Sequence, residues 1–206
     1  MKNNTDITGK SKAHFNSTAA NYDASYDGKF TEKMYAPLIA ELRKSPSGKL
    51  LDVGCGNGNT LVPLADTSLE LFGLDLSNAM IEEAKKRLLS RAELCVGNAE
   101  VLPYGDGVFD IVVCNASFHH YPKPDAVLEE MNRVMKPGAM LYIGESYVPQ
   151  PGRFFMNLFI RFSSDGDFHI YGEKELSGML ERHSFEVRQI TKTAEHAVLY
   201  ISVRKA

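Results

Sequence analysis

The stretch from Lys49 to Thr60 reads Lys-Leu-Leu-Asp-Val-Gly-Cys-Gly-Asn-Gly-Asn-Thr and decides how the chain folds. Its first residues form a short apolar run, which is typical of a buried parallel strand. Glycines then occupy every second position, at Gly54, Gly56 and Gly58. Glycine lets the backbone turn tightly and come close to a ligand, because no Cβ atom stands in the way. The stretch therefore predicts a strand that ends in a ligand-binding loop.

A dinucleotide-binding loop is the first alternative, because it also places glycines between a strand and a helix. That fingerprint has a third glycine where this sequence has Asn59. Asp52 lies two residues before the first glycine, and a carboxylate there suits a cationic or amino-acid-like ligand better than a pyrophosphate. The next apolar run ends in Asp75, whose carboxylate can accept both hydroxyls of a ribose. Ser77 follows as a predicted helix N-cap.

Four motifs follow one another between residues 50 and 147. They are Leu51-Asp52-Val53-Gly54-Cys55-Gly56-Asn57-Gly58, the acid Asp75, Gly97-Asn98-Ala99-Glu100-x-Leu102-Pro103, and Phe109-Asp110 through Pro137-Gly138. In this order and spacing they resemble the class I S-adenosylmethionine-dependent methyltransferases, in the small-molecule branch that includes the ubiquinone and menaquinone methyltransferases. The resemblance implies an α/β fold with a doubly wound, Rossmann-like, mostly parallel seven-stranded sheet. It also implies an antiparallel C-terminal strand and helices on both faces.

The same resemblance implies an activity and a cofactor. The expected reaction is transfer of a methyl group from S-adenosyl-L-methionine to a small, apolar or aromatic acceptor. A protein that binds the cofactor without turnover, as a sensor or a partner subunit, is the main alternative. A nicotinamide-dependent dehydrogenase is disfavoured by the glycine spacing and by Asn98-Ala99-Glu100.

The resemblance assigns cofactor contacts position by position. Asp52 and the glycine loop are expected to hold the methionine part, Asp75 the ribose, and Asn98 with the amide of Ala99 the adenine. Tyr22 is predicted to act as a lid or, equally, to anchor the N-terminal segment to the core. The full predicted cofactor-binding set is Tyr22, Asp52, Gly54, Cys55, Gly56, Gly58, Asp75, Leu76, Met80, Asn98, Ala99, Glu100 and Asn115.

Two adjacent histidines follow the fourth predicted strand, within Asn115-Ala116-Ser117-Phe118-His119-His120-Tyr121-Pro122. A sulfonium methyl group is already activated, so positioning can supply up to about 7–11 kcal/mol, against about 3–5 kcal/mol from a general base. His119, His120 and His169 are the candidates for such a base, with a purely structural role equally open for the first two. No two histidines or carboxylates show ligand spacing on one helix face, so no metal site is predicted.

The predicted single domain, residues 1–206, carries additional segments at its N-terminus and between its fifth strand and the helix that follows. Residues 1–12 are polar and predict a mobile tail, and residues 13–45 predict cap helices. Residues 151–171 predict an insertion that acts as a lid over substrate, as a dimer contact, or as a helix buried in the domain. Its apolar residues are Phe154, Phe155, Met156, Leu158, Phe159, Ile160 and Phe162, and its mouth is flanked by Glu145, His169 and Tyr171.

Composition narrows the classes of partner. The chain has 206 residues, of which 44% are hydrophobic and 24% charged, as expected of one globular domain. A net charge of −3 gives no basic surface for nucleic acid. No apolar run approaches the roughly 18 residues of a membrane span, so no integral membrane association and a cytoplasmic location are expected. A small-molecule methyl acceptor is the expected partner, and a monomer and a homodimer both stay open.

Overall fold

The computed structural model describes residues 4–160, 163 and 165–205, with side chains from residue 7 onward. One seven-stranded sheet forms its centre, with the order β3-β2-β1-β4-β5-β7-β6. Strand β7 is antiparallel to β5 and β6, and the other pairs are parallel. The strands are β1 Gly48–Val53, β2 Leu69–Asp75, β3 Ala92–Val96, β4 Phe109–Asn115, β5 Met135–Ser146, β6 Phe185–Ala194 and β7 Ala197–Arg204. The predicted Rossmann-like sheet with an antiparallel last strand is confirmed.

Six α-helices accompany these strands in the described part of the chain. They are α1 Asn4–Thr18, α2 Tyr26–Leu42, α3 Asn78–Leu88, α4 Pro124–Val134, α5 Gly152–Phe159 and α6 Glu173–Arg182. A 3-10 segment, Ala19–Ala24, joins α1 to α2, and another, Phe118–His120, follows β4. A single 3-10 turn, Val62–Leu64, follows the glycine loop.

Alternate residues of the central strands point into two separate apolar cores. Leu51 and Val53 of β1 pack with residues of α4 and α6, such as Val127 and Leu180. Leu50 packs instead with residues of α2 and α3. Burial on both faces is what a parallel sheet requires, and it explains the nearly continuous apolar runs. The carboxyl ends of the strands are therefore left as the edge where polar groups can gather.

Residues 4–12, which the composition predicted to be part of a mobile tail, belong to helix α1. It begins at Asn4, and Ile7 and Ser11 are buried. The backbone of Ser11 lies so close to Gly166 that a Cβ atom there would come within 2.4 Å of the Ser11 amide nitrogen. Polar composition did not reveal this helix, because only a narrow face of it is buried. Residues 1–3 of the predicted tail lie outside the described residues.

Helix α5 is exposed, so the buried-helix alternative for residues 151–171 is wrong. Phe154, Phe155 and Phe159 are 62%, 58% and 65% exposed. None of the helix's eight residues is buried. A lid and a dimer contact therefore stay predictions for this segment, and Phe162 lies outside the described residues. Among the helices described, none has both the length and the apolar character to cross a bilayer.

One side chain of α1 is expected to fix that helix to α3. The Asn16 Oδ1 atom accepts hydrogen bonds from Ser77 Oγ at 2.7 Å and from the Ala79 amide at 3.3 Å. A hydrogen bond of this kind contributes about 0.5–1.5 kcal/mol, so Asn16→Ala should speed amide hydrogen exchange in α1 by several-fold, up to about tenfold. Ser17→Ala is the matched control, because the Ser17 hydroxyl donates to the His14 carbonyl within α1. Equal exchange in the two variants would contradict this role of Asn16.

Candidate functional site

The glycine loop follows β1 and is fixed to the end of β2. Gly54, Gly56 and Gly58 have φ angles of 78°, 52° and 86°, which L side chains rarely adopt. The amides of Gly54 and Cys55 both donate to the carbonyl of Leu74, at 2.8 and 3.0 Å. A Cβ atom at Gly54 would lie 2.4 Å from Ser117 Oγ, whereas at Gly56 it would project into open space. The loop thus packs tightly at its start and leaves room at Gly56.

Asp75, at the end of β2, holds this loop and the following helix together. Its Oδ2 atom accepts from the Gly56 amide and its Oδ1 atom from the Ser77 amide, both at 2.8 Å. Burial raises the pKa of Asp75, and these backbone donors work against that rise. The carboxylate is therefore oriented before any ligand arrives.

Two buried polar side chains lie at the ends of the neighbouring strands β1 and β4. Asp52 is 1% exposed, and neither of its carboxylate oxygens has a hydrogen-bond partner among the described residues. Burial raises the pKa of Asp52 to about 7. The Thr60 side chain acts to lower this pKa, and the charge of Asp75 acts to raise it. The Asn115 amide is likewise buried without a partner in the described chain. Unsatisfied buried polar groups are costly, so this pair indicates a place built for a polar ligand.

A cavity of about 60 Å³, the smaller cavity, lies beside the loop. Six residues of the predicted cofactor-binding set line it, and they are Gly54, Asp75, Leu76, Asn98, Ala99 and Glu100. Helix α1 covers it with Thr8, Ser11, Lys12 and Phe15. These α1 residues were missed from the sequence, because a polar N-terminus gave no signal of a helix there.

Other members of the predicted set do not line the smaller cavity. Cys55 is buried in the apolar core shared with α2 and α3. Met80 packs with Ala19 and Tyr22 in a third cluster. A Cβ atom at Gly58 would meet the Leu88 side chain at 3.1 Å, so close packing requires this glycine.

A cavity of about 270 Å³, the larger cavity, adjoins the first. Its aromatic lining consists of Phe15, Tyr22, Tyr26 and Phe30, and its apolar lining includes Val148, Met156, Ile160 and Ile170. Asp27, Asp165, Asp167, His119 and His120 add polar groups. Phe15 and His120 line both cavities and meet edge to face, with ring centroids 5.1 Å apart. These two side chains therefore form the boundary between the cavities.

His119 lies between two carboxylates. Its Nδ1 atom is 2.8 Å from Glu145 Oε2, and its Nε2 atom is 3.7 Å from Asp167 Oδ1. Burial lowers the pKa of His119, but the charge and hydrogen bond of Glu145, together with Asp167, raise it to about 9. Without another cation nearby, His119 is an imidazolium at neutral pH and cannot accept a proton.

His120 has the opposite protonation state. Burial, and then the charge of His119, hold the pKa of His120 well below its ordinary value. Neutral at pH 7, it is the one of the two adjacent histidines that can accept a proton. His169 pairs with Glu175 at 2.9 Å and, in the described structure, lines neither cavity. A contact between His169 and substrate stays a prediction without support from this geometry.

Three carboxylates of the larger cavity were missed from the sequence. Asp27 and Asp165 flank His14, at 2.8 and 3.4 Å from its ring nitrogens. Asp167 contacts both adjacent histidines. The one available signal was the sequence Asp165-Gly166-Asp167, which contains the only acidic residues between residues 151 and 171.

Comparisons with known proteins show similarity to methyltransferases. Residues 51–143 match the family model described as a methyltransferase domain. A demethylmenaquinone methyltransferase of Renibacterium salmoninarum is 32% identical over 146 residues, which cover 69% of this chain and 61% of that protein. A demethylmenaquinone methyltransferase of Bacillus cereus is 30% identical over 172 residues, which cover 70% of this chain and 73% of that protein. The chain spans about three fifths of the length of several such relatives.

A solved structure is similar over most of the chain. The crystal structure of an S-adenosylmethionine-dependent methyltransferase from Methanosarcina mazei has a TM-score of 0.67 and 25% sequence identity. The match covers 81% of this chain and 97% of that one.

Proposed function

The chain belongs to the class I S-adenosylmethionine-dependent methyltransferases, and on this premise we propose that it transfers a methyl group from S-adenosyl-L-methionine to a small, apolar or aromatic acceptor. The observation that carries the proposal is the boundary at Phe15 and His120, where the smaller cavity meets the larger one. A donor in the first and an acceptor in the second would be adjacent there. Adjacent placement is what an in-line displacement requires.

The residues around the smaller cavity fit the cofactor. Asp75 would accept the ribose hydroxyls, and Asn98 with the Ala99 amide would hold the adenine. Asp52 and Asn115 line neither cavity in the described structure, but their buried, unpartnered polar atoms would bind the charged amino-acid part. When bound, the cofactor supplies a methyl group on a positively charged sulfur.

Helix α1 must move to admit that cofactor. Pockets for ligands of this size have volumes of at least about 300 Å³, whereas the smaller cavity has about 60 Å³. Its cover consists of α1 side chains, and His14 fixes α1 to Asp27 and Asp165. Helix α1 would therefore act as the lid over the donor side, whereas Tyr22, the predicted lid residue, lines the larger cavity.

The larger cavity selects and positions the acceptor. Its aromatic side chains exclude water and can stack on a flat apolar molecule. His120 is neutral and can take a proton from an acceptor oxygen or acidic carbon. Relatives bear the name demethylmenaquinone methyltransferase, so quinone precursors and phenols are the first acceptors to test. A cytoplasmic location and the choice between monomer and homodimer stay predictions from the sequence.

Calorimetric titration of two variants tests the cofactor assignment. Loss of a charged hydrogen-bond partner costs about 1.5–3 kcal/mol, or tenfold and more in affinity. Asp75→Ala should therefore weaken S-adenosylmethionine and 5′-methylthioadenosine alike, because both carry the ribose. Asp52→Asn should weaken only S-adenosylmethionine, because methylthioadenosine lacks the amino-acid part.

The matched control for these variants is Glu70→Ala, an exposed acid on the same strand as Asp75. It should bind both ligands as the wild-type protein does. An unchanged dissociation constant in Asp75→Ala would refute the ribose assignment. Binding of both ligands without turnover of any acceptor would favour the sensor alternative.

Two residues of α5 distinguish a lid from a dimer contact. Met156 lines the larger cavity, whereas the exposed Phe154 lines neither cavity in the described structure. If α5 covers the acceptor, Met156→Ser should raise the KM for an apolar acceptor several-fold, and Phe154→Ser should not. Both variants should keep the wild-type affinity for S-adenosylmethionine. A change of sedimentation coefficient in Phe154→Ser, with equal KM values in both variants, would instead indicate a dimer contact.

A further inference from the structure

Three potential metal ligands converge at the boundary of the two cavities. His120 Nδ1 lies 3.1 Å from Asp167 Oδ1, and His119 Nε2 lies 3.7 Å from the same oxygen. A ligand atom from each of the three residues falls within 4.8 Å of the other two. We propose that His119, His120 and Asp167 bind one divalent transition-metal ion. Two imidazoles and one carboxylate are a ligand set typical of Zn²⁺ and Fe²⁺.

The spacing of these atoms fits a tetrahedral ion. Zinc binds imidazole nitrogen and carboxylate oxygen at about 2.0–2.2 Å, which places tetrahedral ligands about 3.3–3.6 Å apart. The two measured separations, 3.1 and 3.7 Å, lie on either side of that range. The third separation, between the two imidazole nitrogens, is at most 4.8 Å, and side-chain rotations would complete the tetrahedral geometry.

Glu145 contacts His119 in the way that a carboxylate commonly orients a metal-binding histidine. Its Oε2 atom lies 2.8 Å from His119 Nδ1, so that nitrogen carries the proton and Nε2 faces Asp167. Glu145 is itself buried, and its Oε1 atom accepts from the Phe118 amide at 2.9 Å. A carboxylate on the distal nitrogen fixes the tautomer of a ligating histidine and raises its basicity.

Hydrogen bonds alone would give a partner to fewer polar atoms of this cluster than a bound metal ion would. A proton on His119 would satisfy Glu145 and Asp167. It would leave His120 Nδ1 without a partner. That atom is buried and, although it lies close to Asp167, has no hydrogen bond within the described structure. His14 already bridges the other two carboxylates of the cavity, Asp27 and Asp165. Asp167 therefore faces the two adjacent histidines, and a metal ion would bind to all three residues at once.

Three protein ligands leave a fourth position open. All three residues line the larger cavity, so that position faces the space for the acceptor. An acceptor hydroxyl or enol oxygen can occupy it, which narrows the acceptor class to compounds with such an oxygen. This last step rests on the proposed methyl transfer, whereas the metal site itself does not.

Titration of Co²⁺ into the full, tag-free chain after dialysis against a chelator tests the site. We expect one equivalent of Co²⁺ with the visible absorption of a four-coordinate ion, and displacement by Zn²⁺. Asp167→Asn and His120→Phe should each weaken binding at least tenfold. Glu145→Gln keeps all three ligands and should weaken binding about 10–100-fold. His183→Gln is the matched control, because His183 also contacts a carboxylate, Asp125 at 2.8 Å, but lines neither cavity described.

The result that would overturn the site is the absence of stoichiometric Co²⁺ binding in folded wild-type protein, or equal affinity in wild type and Asp167→Asn. Circular dichroism identifies any variant that fails to fold, and Glu145→Gln then takes its place. Calorimetry with S-adenosylmethionine on the same metal-free sample separates the two proposals. Cofactor binding without Co²⁺ binding refutes the metal site alone. Co²⁺ binding without cofactor binding refutes the proposed function alone.

Discussion

The two hydrogen bonds that Asp75 accepts hold the candidate site together. One fixes the glycine loop through the Gly56 amide, and the other fixes the turn into α3 through the Ser77 amide. Ser77 then caps α3 and bonds to Asn16 of α1. A single buried carboxylate therefore connects the loop, the helix that follows β2 and the N-terminal cover. Fixed donors of this kind cost no reorganisation when a ligand binds.

Environment, not residue type, separates the two adjacent histidines. Their ring centroids are only 4.1 Å apart, yet Glu145 contacts one and not the other. Burial lowers the pKa of His120, and a charge on His119 lowers it further because two imidazolium ions so close together repel each other. The pair places one fixed cation and one proton acceptor beside the same cavity boundary. A metal ion on both rings would replace that proton-based arrangement with a coordinated one.

The sheet was predictable from sequence, whereas the surroundings of the two cavities were only partly so. Buried strands are visible in the sequence as apolar runs. Gly54 to Gly58 and Asp75 follow two of these runs, which predicts that the loop lies at the carboxyl ends of the strands. Helix α1 gave no such signal, because few of its residues are buried. The apolar composition of α5 fits a core helix as well as an exposed one. Asp167 meets His119 and His120 only through the folded path of a loop, which no local spacing encodes.

Glycines of one motif can be retained for unrelated reasons. Gly54 leaves no space for a Cβ atom because of Ser117 and Tyr121, so any side chain there damages the fold itself. Gly56 faces open space, and its φ of 52° is one that asparagine tolerates. A side chain at residue 54 therefore meets two obstacles, a clash and an unfavourable φ angle, whereas a side chain at residue 56 meets only the second.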